Sequence, residues 1–173
     1  MENTKLIFTR RLILKKFEQK DKEKNLNFLE KKEFQSLDIK KSTNKEEFIK
    51  LVENAYENQK NFNLWHITKR TSQESIGLAW TEKFENGYII KIIINDHFEN
   101  RGYGCESLEN IIEYLFTQVF VKEIYLKSKK ENAPWQEVIK KVKFIKYNQD
   151  KDFYYYKMTN IDYMKYFAIF GEI

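Results

Sequence analysis

The stretch that decides the fold begins with Tyr88-Ile89-Ile90-Lys91-Ile92-Ile93-Ile94 and continues, after a short polar connection, into Arg101-Gly102-Tyr103-Gly104. The first run is almost continuously apolar and β-branched, which is typical of a central strand covered on both faces. The second run precedes a helical pattern whose apolar face comprises Leu108, Ile111, Ile112, Leu115, Phe116 and Val119. The stretch therefore predicts a central strand, a glycine loop and a long amphipathic helix.

A glycine loop between a strand and a helix is a potential anion site. Amide N–H groups at a helix N-terminus have no partner within the helix, and the helix dipole favours negative charge there. Gly102 and Gly104 leave room for a pyrophosphate to approach the backbone, and Arg101 adds a positive charge. The third glycine of the dinucleotide-binding fingerprint would fall at Ser107, so the loop alone does not identify its ligand.

Strand and helix signals alternate along the rest of the chain. The segment Lys5 to Lys16 is predicted to be one strand, because Leu6 and Phe8, and then Leu12 and Leu14, are apolar residues two positions apart. Two helices are predicted to follow, about residues 21–29 and after the capping-box spacing at residues 43–46. Strands are predicted at residues 62–68 and 75–81, with Asn86-Gly87 at the centre of a tight hairpin turn.

The C-terminal third repeats this alternation. A strand at residues 124–126 is followed by a short helix that Pro134 opens, and residues 144–147 and 153–158 form a strand pair. The predicted order is β-α-α-β-β-β-α-β-α-β-β, an α/β (α+β) arrangement in which helices flank a mixed sheet. The chain has one proline, five glycines and no linker or repeat, so residues 1–173 are expected to form a single domain.

Composition excludes several classes of function. The net charge is +5, but positive and negative residues are interleaved, which favours a mixed solvated surface over a nucleic-acid-binding face. One cysteine and two histidines argue against a disulfide framework and a metal site. The opening Met1-Glu2-Asn3-Thr4-Lys5 lacks the layout of a signal peptide, and no apolar run is long enough to span a membrane. A cytoplasmic location is expected.

Taken in order, these motifs resemble the GNAT superfamily of N-acetyltransferases. The segment Glu99 to Gly104 is similar to the family motif Gln/Arg-x-x-Gly-x-Gly/Ala and departs from it at Glu99. The segment Thr9 to Lys15 resembles the Thr-x-Arg-Leu-x-Leu-Arg opening of the ribosomal-protein N-terminal acetyltransferases. The run from Ile92 through Gly102-Tyr103-Gly104-Cys105-Glu106-Ser107 is similar to that branch and to the spermidine acetyltransferases. Asn132, with Phe144 beyond it, keeps the spacing of the family's Asn-x-x-Ser…Lys-x-Gly-Phe segment.

The resemblance implies the GNAT fold, a mostly antiparallel mixed sheet of six to seven strands with helices on both faces, and acetyl-CoA as the cofactor. Backbone groups of Ile92 and Ile94 would pair with the pantetheine arm of CoA. Amides of Asn100, Arg101, Gly102, Tyr103, Gly104 and Cys105 would hold the pyrophosphate. Asn132 would reach the pantetheine or phosphate region, or would only cap the helix that follows it.

The catalytic groups are less defined by the resemblance. Ile139 stands where many members have a tyrosine that protonates the leaving thiolate, and Ile89 or Lys91 stands where a glutamate often serves. Asp96 and His97, just past the central strand, are the predicted base or relay. The other candidates are His66 as the base and a tyrosine from residues 154–156 in the acceptor pocket.

Cys105 has the position of a stabilised thiolate, because it lies at a helix start. The resemblance nevertheless implies direct transfer of the acetyl group to the acceptor, so Cys105 is not expected to be a nucleophile.

A site without an evident base favours an acceptor that is already partly neutral. An α-amine of pKa ~7.8 is partly uncharged at neutral pH, whereas a lysine-type amine of pKa ~10.4 is almost wholly protonated. A protein or peptide N-terminus is therefore the first predicted acceptor, and a polyamine or aminoglycoside is the second. The competing predictions are a non-catalytic CoA-binding module and a nucleotide-binding domain. The chain is expected to be a monomer or a homodimer.

Overall fold

The structure is a computed structural model that describes residues 4–18 and 62–168. The two helices predicted at residues 21–29 and after residue 43 lie outside this part of the chain. In chain order the described elements are β1 (Ile7–Phe8), β2 (Leu12–Lys16), β3 (Phe62–Lys69), β4 (Ser75–Phe84), β5 (Gly87–Ile94), α1 (Tyr103–Thr117), β6 (Glu123–Lys129), α2 (Ala133–Lys141), β7 (Ile145–Gln149), β8 (Phe153–Thr159) and α3 (Asn160–Tyr163). A turn of 3₁₀ helix, Asp96–Phe98, follows β5, and a π-helical turn, Met164–Ala168, follows α3.

The strands form one sheet in the order β1-β2-β3-β4-β5-β6-β8-β7. Strands β5 and β6 pair in parallel, and the other neighbours pair antiparallel. The parallel pair needs a crossover connection, and α1 supplies it. The prediction of a mixed, mostly antiparallel sheet flanked by helices is confirmed.

The predicted single strand at Lys5–Lys16 is wrong, because the chain turns back at Thr9. The Thr9 N–H donates to the Leu12 carbonyl over 3.0 Å, and the Leu12 N–H donates to Thr9 Oγ1 over 2.8 Å. A threonine side chain that bonds nearby backbone in this way competes with a continuous strand. The segment is therefore the hairpin β1–β2, and the described sheet has eight strands instead of six to seven.

The hairpin between β4 and β5 is confirmed, but its turn lies one residue earlier than predicted. Phe84 pairs with Gly87, so the two turn residues are Glu85 and Asn86, and Glu85 takes a positive φ of 46°. Gly87 already belongs to β5, where a Cβ would lie 1.7 Å from the carbonyl oxygen of Glu123. Its lack of a side chain serves the close approach of β5 and β6.

The sheet is buried on both faces, as the run at residues 88–94 predicts. The apolar face of α1 and the buried residues of α2 share one core cluster with Trp65, Ile67, Ala79 and Ile90. On the opposite face, the buried side chains include those of Leu64, Leu78, Trp80 and Ile93. No helix within the described residues is long and apolar enough to cross a membrane.

The parallel junction between β5 and β6 is short and positions the site. Only Tyr88 with Ile124, and Ile89 with Tyr125, are paired between these two described strands. Beyond them β5 continues to Ile94 and β6 to Lys129, so the strands separate into a cleft.

Candidate active site

A cavity of about 330 Å³ occupies the cleft where β5 separates from β6. Residues 90–94 of β5 form one wall, and Lys127 of β6 belongs to the other. The glycine loop and the start of α1 close one end, with every residue from 98 to 105 except Arg101 in the lining. The first turns of α2 contribute Asn132, Pro134, Trp135 and Val138.

The β5 wall presents backbone hydrogen-bonding groups to the cavity. The Asn95 N–H donates to the Ile76 carbonyl of β4 over 2.8 Å, and a Cβ on Gly77 of β4 would lie 2.1 Å from the Ile93 carbonyl oxygen. Backbone groups of Ile93 and Asn95 therefore face β4. Because this direction alternates along a strand, the N–H and C=O groups of Ile92 and Ile94 face the cleft. The wall can thus bind an extended ligand as an added strand would be bound.

The glycine loop leads into α1 through a left-handed residue. Gly102 is the N-cap of α1, with φ of 77°, and makes no side-chain cap hydrogen bond. This conformation favours glycine, and it leaves the first amides of α1 without a side-chain acceptor. Gly104 lines the cavity beside Ile94. The end of the cleft therefore has the geometry of an anion site at a helix N-terminus.

The loop is fastened to the β1–β2 hairpin by Glu106. The Glu106 carboxylate accepts from Thr9 Oγ1 over 2.6 Å, from the Arg11 N–H over 2.7 Å and from Arg11 Nε over 2.6 Å. The Arg11 guanidinium also donates to the Arg101 carbonyl over 3.1 Å and lies 4.5 Å from the Tyr103 ring centroid. The segment from Thr9 to Lys15 and the segment that contains Glu106 were both recognised in the sequence. Nothing in their spacing showed that they are in contact.

The electrostatics of this contact favour the ionised carboxylate. Burial by itself would raise the pKa of Glu106, but the hydrogen bonds from Thr9 and Arg11 together outweigh burial and lower the pKa below its ordinary value of 4.5. The Glu106 side chain is 12% exposed and that of Arg11 is 37% exposed. Glu106 is therefore a charged anchor at neutral pH.

The predicted binding residues largely come together. The cavity is lined by Ile92, Ile94, Asn100, Gly102, Tyr103, Gly104, Cys105 and Asn132. Asn132 also caps α2, since its Oδ1 accepts from the Trp135 N–H over 3.1 Å. Arg101 is exposed and absent from the lining; its guanidinium lies 5.8 Å from the Phe98 ring centroid.

The predicted catalytic residues lie apart from the cavity. Asp96 and His97 are exposed in the 3₁₀ turn after β5, where Asn95 Oδ1 accepts from the His97 N–H over 3.1 Å. His66 is buried on β3, with Nε2 2.8 Å from Ser75 Oγ. None of these three side chains lines the cavity, and no tyrosine of residues 154–156 does either.

Cys105 lines the cavity as a buried thiol. Burial raises its pKa above 9.0, and the neighbouring Glu109 raises it further by its charge and by accepting from Sγ over 3.4 Å. The stabilised thiolate expected from the position at a helix start is therefore wrong, because burial and a carboxylate outweigh the helix terminus.

Three lining residues that sequence reasoning did not assign to the site are Lys91, Lys127 and Trp135. Trp135 Nε1 donates to the Lys127 carbonyl over 3.2 Å, which holds the start of α2 against β6. Neither lysine belongs to a motif, and only the register of β5 and β6 places both at the cleft.

Comparison with known proteins gives solved structures with the same fold and one curated protein that is similar over part of its sequence. The chain matches the RimL ribosomal L7/L12 alpha-N-protein acetyltransferase in complex with coenzyme A with a TM-score of 0.77 at 17% identity, over 90% of this chain and 98% of that one. The spermidine N-acetyltransferase from Vibrio cholerae in complex with CoA and spermine gives a TM-score of 0.77 at 15% identity, over 88% and 98%. An uncharacterized N-acetyltransferase of Bacillus subtilis, YnaD, is 33% identical over 58 residues, and this stretch spans 34% of each chain.

The family profile described as an acetyltransferase (GNAT) domain matches residues 11–145. The match runs from the turn of the β1–β2 hairpin to the start of β7. It includes the whole glycine loop and the strands β5 and β6 that border the cleft. This chain therefore belongs to the GNAT acetyltransferase family.

Proposed function

We propose that this chain transfers the acetyl group of acetyl-CoA to a primary amine, and that a protein or peptide N-terminus is the preferred acceptor. The observation that carries the proposal is the cleft at which β5 leaves β6, with backbone groups of Ile92 and Ile94 facing it and the glycine loop at its end. A flexible amide-containing arm that ends in a pyrophosphate fits this combination of strand edge and helix N-terminus.

The described residues fit CoA in three places. Ile92 and Ile94 would pair with the pantetheine arm, and the amides from Asn100 to Cys105 would receive the pyrophosphate. Asn132 would contact the region between them, with its Oδ1 already used as the α2 cap. The side chain of Arg101 is directed elsewhere, so its contribution would come from its backbone.

The chemistry is direct aminolysis of the thioester. The amine nitrogen attacks the carbonyl carbon, the C–S bond breaks, and the amine proton passes to solvent or to the leaving thiolate. A β5 amide that faces the cleft would stabilise the oxyanion, and the cleft would hold the two reactants in line. Ile139 is fully buried and does not line the cavity, so the thiolate leaves without an acid from that position; a thiol of pKa ~8.5 permits this.

Among the described residues, the cavity lining contains no histidine and one carboxylate, Glu99, on the glycine-loop side. Asp96 and His97 remain the predicted base or relay, but both side chains are exposed outside the cavity lining. The rate should therefore follow the fraction of acceptor that is already neutral, which favours an α-amine. A polyamine is the alternative acceptor, since the spermidine acetyltransferase of Vibrio cholerae shares the fold.

The pH dependence of turnover tests this preference. Activity on a peptide with a free N-terminus should rise with pH and level off near the α-amine pKa of ~7.8, whereas a lysine-type amine should keep accelerating to ~10. The measurement is an initial-rate series with acetyl-CoA and three acceptors: a free peptide, the same peptide blocked at its N-terminus but containing lysine, and spermidine.

Two results would count against the proposal. Faster turnover of spermidine or of the blocked peptide at neutral pH would contradict the α-amine preference. Tight CoA binding without turnover of any amine would favour a non-catalytic CoA-binding module.

A Cys105→Ala variant is expected to retain most of the activity. The thiol is buried and its pKa is raised, so it is a poor nucleophile, and the acceptor attacks the thioester directly. The measurement is kcat/KM of the variant against the parent, with Ser107→Ala in the same helix as the matched control. Acetylated Cys105 trapped by mass spectrometry during turnover would contradict direct transfer.

A further inference from the structure

Two lysines occupy equivalent positions on the two strands of the cleft. Ile89 is paired with Tyr125, and the lysines lie two residues beyond each of them, at Lys91 and Lys127. Side chains two residues apart share a face of a sheet, so both lysines project from the same face. Both line the cavity.

This face is opposite to the one that α1 covers. Lys91 is paired with Trp80 on β4, and Trp80 alternates with Ala79, which belongs to the core cluster of α1. The glycine loop and α1 are therefore on one side of the cleft, and the lysine side chains are on the other. If CoA enters from the loop side, as proposed, the acceptor approaches the thioester from the lysine side.

Each lysine is held by a neighbour from its own half of the sheet. Lys91 Nζ lies 2.9 Å from Glu82 Oε1, which also accepts from Trp80 Nε1 over 2.8 Å. Lys127 Nζ lies 3.8 Å from the ring centroid of Phe153 on β8. Lys127 Nζ also lies 5.1 Å from the ring centroid of Tyr155, so each ammonium group rests against its own side of the cleft.

The carboxylates nearby do not offer an equivalent site for a cation. Glu82 and Asp150 are absent from the cavity lining, and Asp150 already accepts from Tyr155 Oη over 2.6 Å and from two backbone N–H groups. Among the described residues, Glu99 is the one lining carboxylate, and it lies on the glycine-loop side. The charged residues of the described lining on the acceptor side are therefore the two lysines, of which Lys91 is paired with Glu82.

We infer that Lys91 and Lys127, the lysine pair, select an acceptor that carries a carboxylate close to its amine. This inference rests on the proposed function and narrows it to peptide N-termini with an acidic side chain in the first two residues. A carboxylate between the two ammonium groups places its amine at the cleft, and the positive field lowers the pKa of that amine toward its reactive form. A polyamine meets like charge at the same position.

The test compares matched peptides that begin Ser-Glu, Ser-Gln and Ser-Lys and are otherwise identical. The parent protein is expected to have kcat/KM about 10-fold higher for Ser-Glu than for Ser-Gln, with Ser-Lys lower still, since a close charge pair contributes about one factor of ten. Binding of the acetylated product peptides to the CoA-saturated protein is measured alongside and should give the same order.

Three variants assign the preference to the lysine pair. Lys127→Met should abolish the advantage of Ser-Glu, and Lys127→Glu should reverse it in favour of Ser-Lys. Lys91→Met is made together with Glu82→Gln, so that no carboxylate is left unpaired, and should also abolish the advantage. The control is Lys83→Met, at an exposed lysine of β4 outside the cavity lining. It makes the same change of charge and should retain the advantage of Ser-Glu.

The outcomes separate the two levels of the proposal. Turnover of all three peptides at equal rates, or an unchanged preference in the Lys127 variants, overturns the role of the lysine pair alone. If no free N-terminus is acetylated and the product peptides show no charge preference in binding, both the peptide acceptor and the lysine pair are wrong.

Discussion

Replacement of Gly104 by valine is expected to abolish CoA binding while the protein stays folded. A Cβ at this position would lie 3.6 Å from Ile94 Cγ1, an ordinary contact, and Gly104 does not have the left-handed φ of Gly102. The folded protein therefore has room for a side chain at position 104. The same side chain would occupy the space through which a pyrophosphate approaches the backbone. Loss of two or more charge-assisted amide hydrogen bonds should weaken binding at least about 100-fold.

The measurement is titration calorimetry with acetyl-CoA, beside a thermal melt. Glu113→Val, at an exposed position of the same helix, reports the cost of a β-branched residue in α1 without touching the cavity. Gly102→Val should instead destabilise the fold by about 1–2 kcal/mol, because a valine must adopt the left-handed conformation there. Parent-like binding by a folded Gly104→Val protein would refute the placement of the pyrophosphate.

Replacement of Glu106 by glutamine is expected to lower the free energy of unfolding by about 2 kcal/mol and to raise KM for acetyl-CoA more than KM for the acceptor. The carboxylate accepts three short hydrogen bonds from the β1–β2 hairpin, and an amide cannot accept all of them from Thr9 and Arg11 with the same strength. Arg11 in turn bonds the Arg101 carbonyl, so a loosened Arg11 releases the glycine loop.

The pH dependence of stability identifies the charge as the cause. The folded pKa of Glu106 lies below its ordinary value of 4.5, so its contribution is complete above about pH 4.5 and is lost as the pH falls through the folded pKa. The gap in unfolding free energy between the parent and Glu106→Gln should therefore narrow below pH 4.5. Glu113→Gln, an exposed glutamate on the same helix, is the control. A gap that stays constant from pH 7 to pH 3 would contradict an ionised anchor.

The sequence predicted a strand or helix correctly where a run of β-branched residues or a periodic apolar face indicates the element. The β-branched run at residues 88–94 and the apolar face of α1 give their strand and helix directly, and the sheet is mixed because α1 returns the chain to a parallel neighbour. The prediction of a single strand at Lys5–Lys16 was wrong because the apolar pairs before and after Thr9 share one register, whereas the Thr9 hydroxyl bonds the backbone and the chain reverses there.

Most of the predicted residues that line the cavity were predicted through their backbone groups, and Asn132 is the exception. The family resemblance implied the cleft-facing groups of Ile92 and Ile94 and the amides of the glycine loop, and the described backbone, with its left-handed Gly102, is compatible with these roles. Glu106 and Arg11 lie 95 positions apart in the chain, and only strand register places Lys91 and Lys127 at the same cleft. Such pairs are set by the packing of distant elements, so a single sequence shows the partners without showing the contact.

The junction of β5 and β6 also has a mechanical consequence. Strands β1 to β5 form one part of the sheet, and β6, β8 and β7 form the other. Two residue pairs beside Gly87 join the two parts. Because this junction is only two residue pairs long, a small change in the angle between β5 and β6 there would become a larger change in the width of the far end of the cleft. Any side chain at position 87 would clash with the Glu123 carbonyl and push β5 and β6 apart. Gly87, which lies outside the cavity lining, therefore permits the close approach from which the two strands diverge.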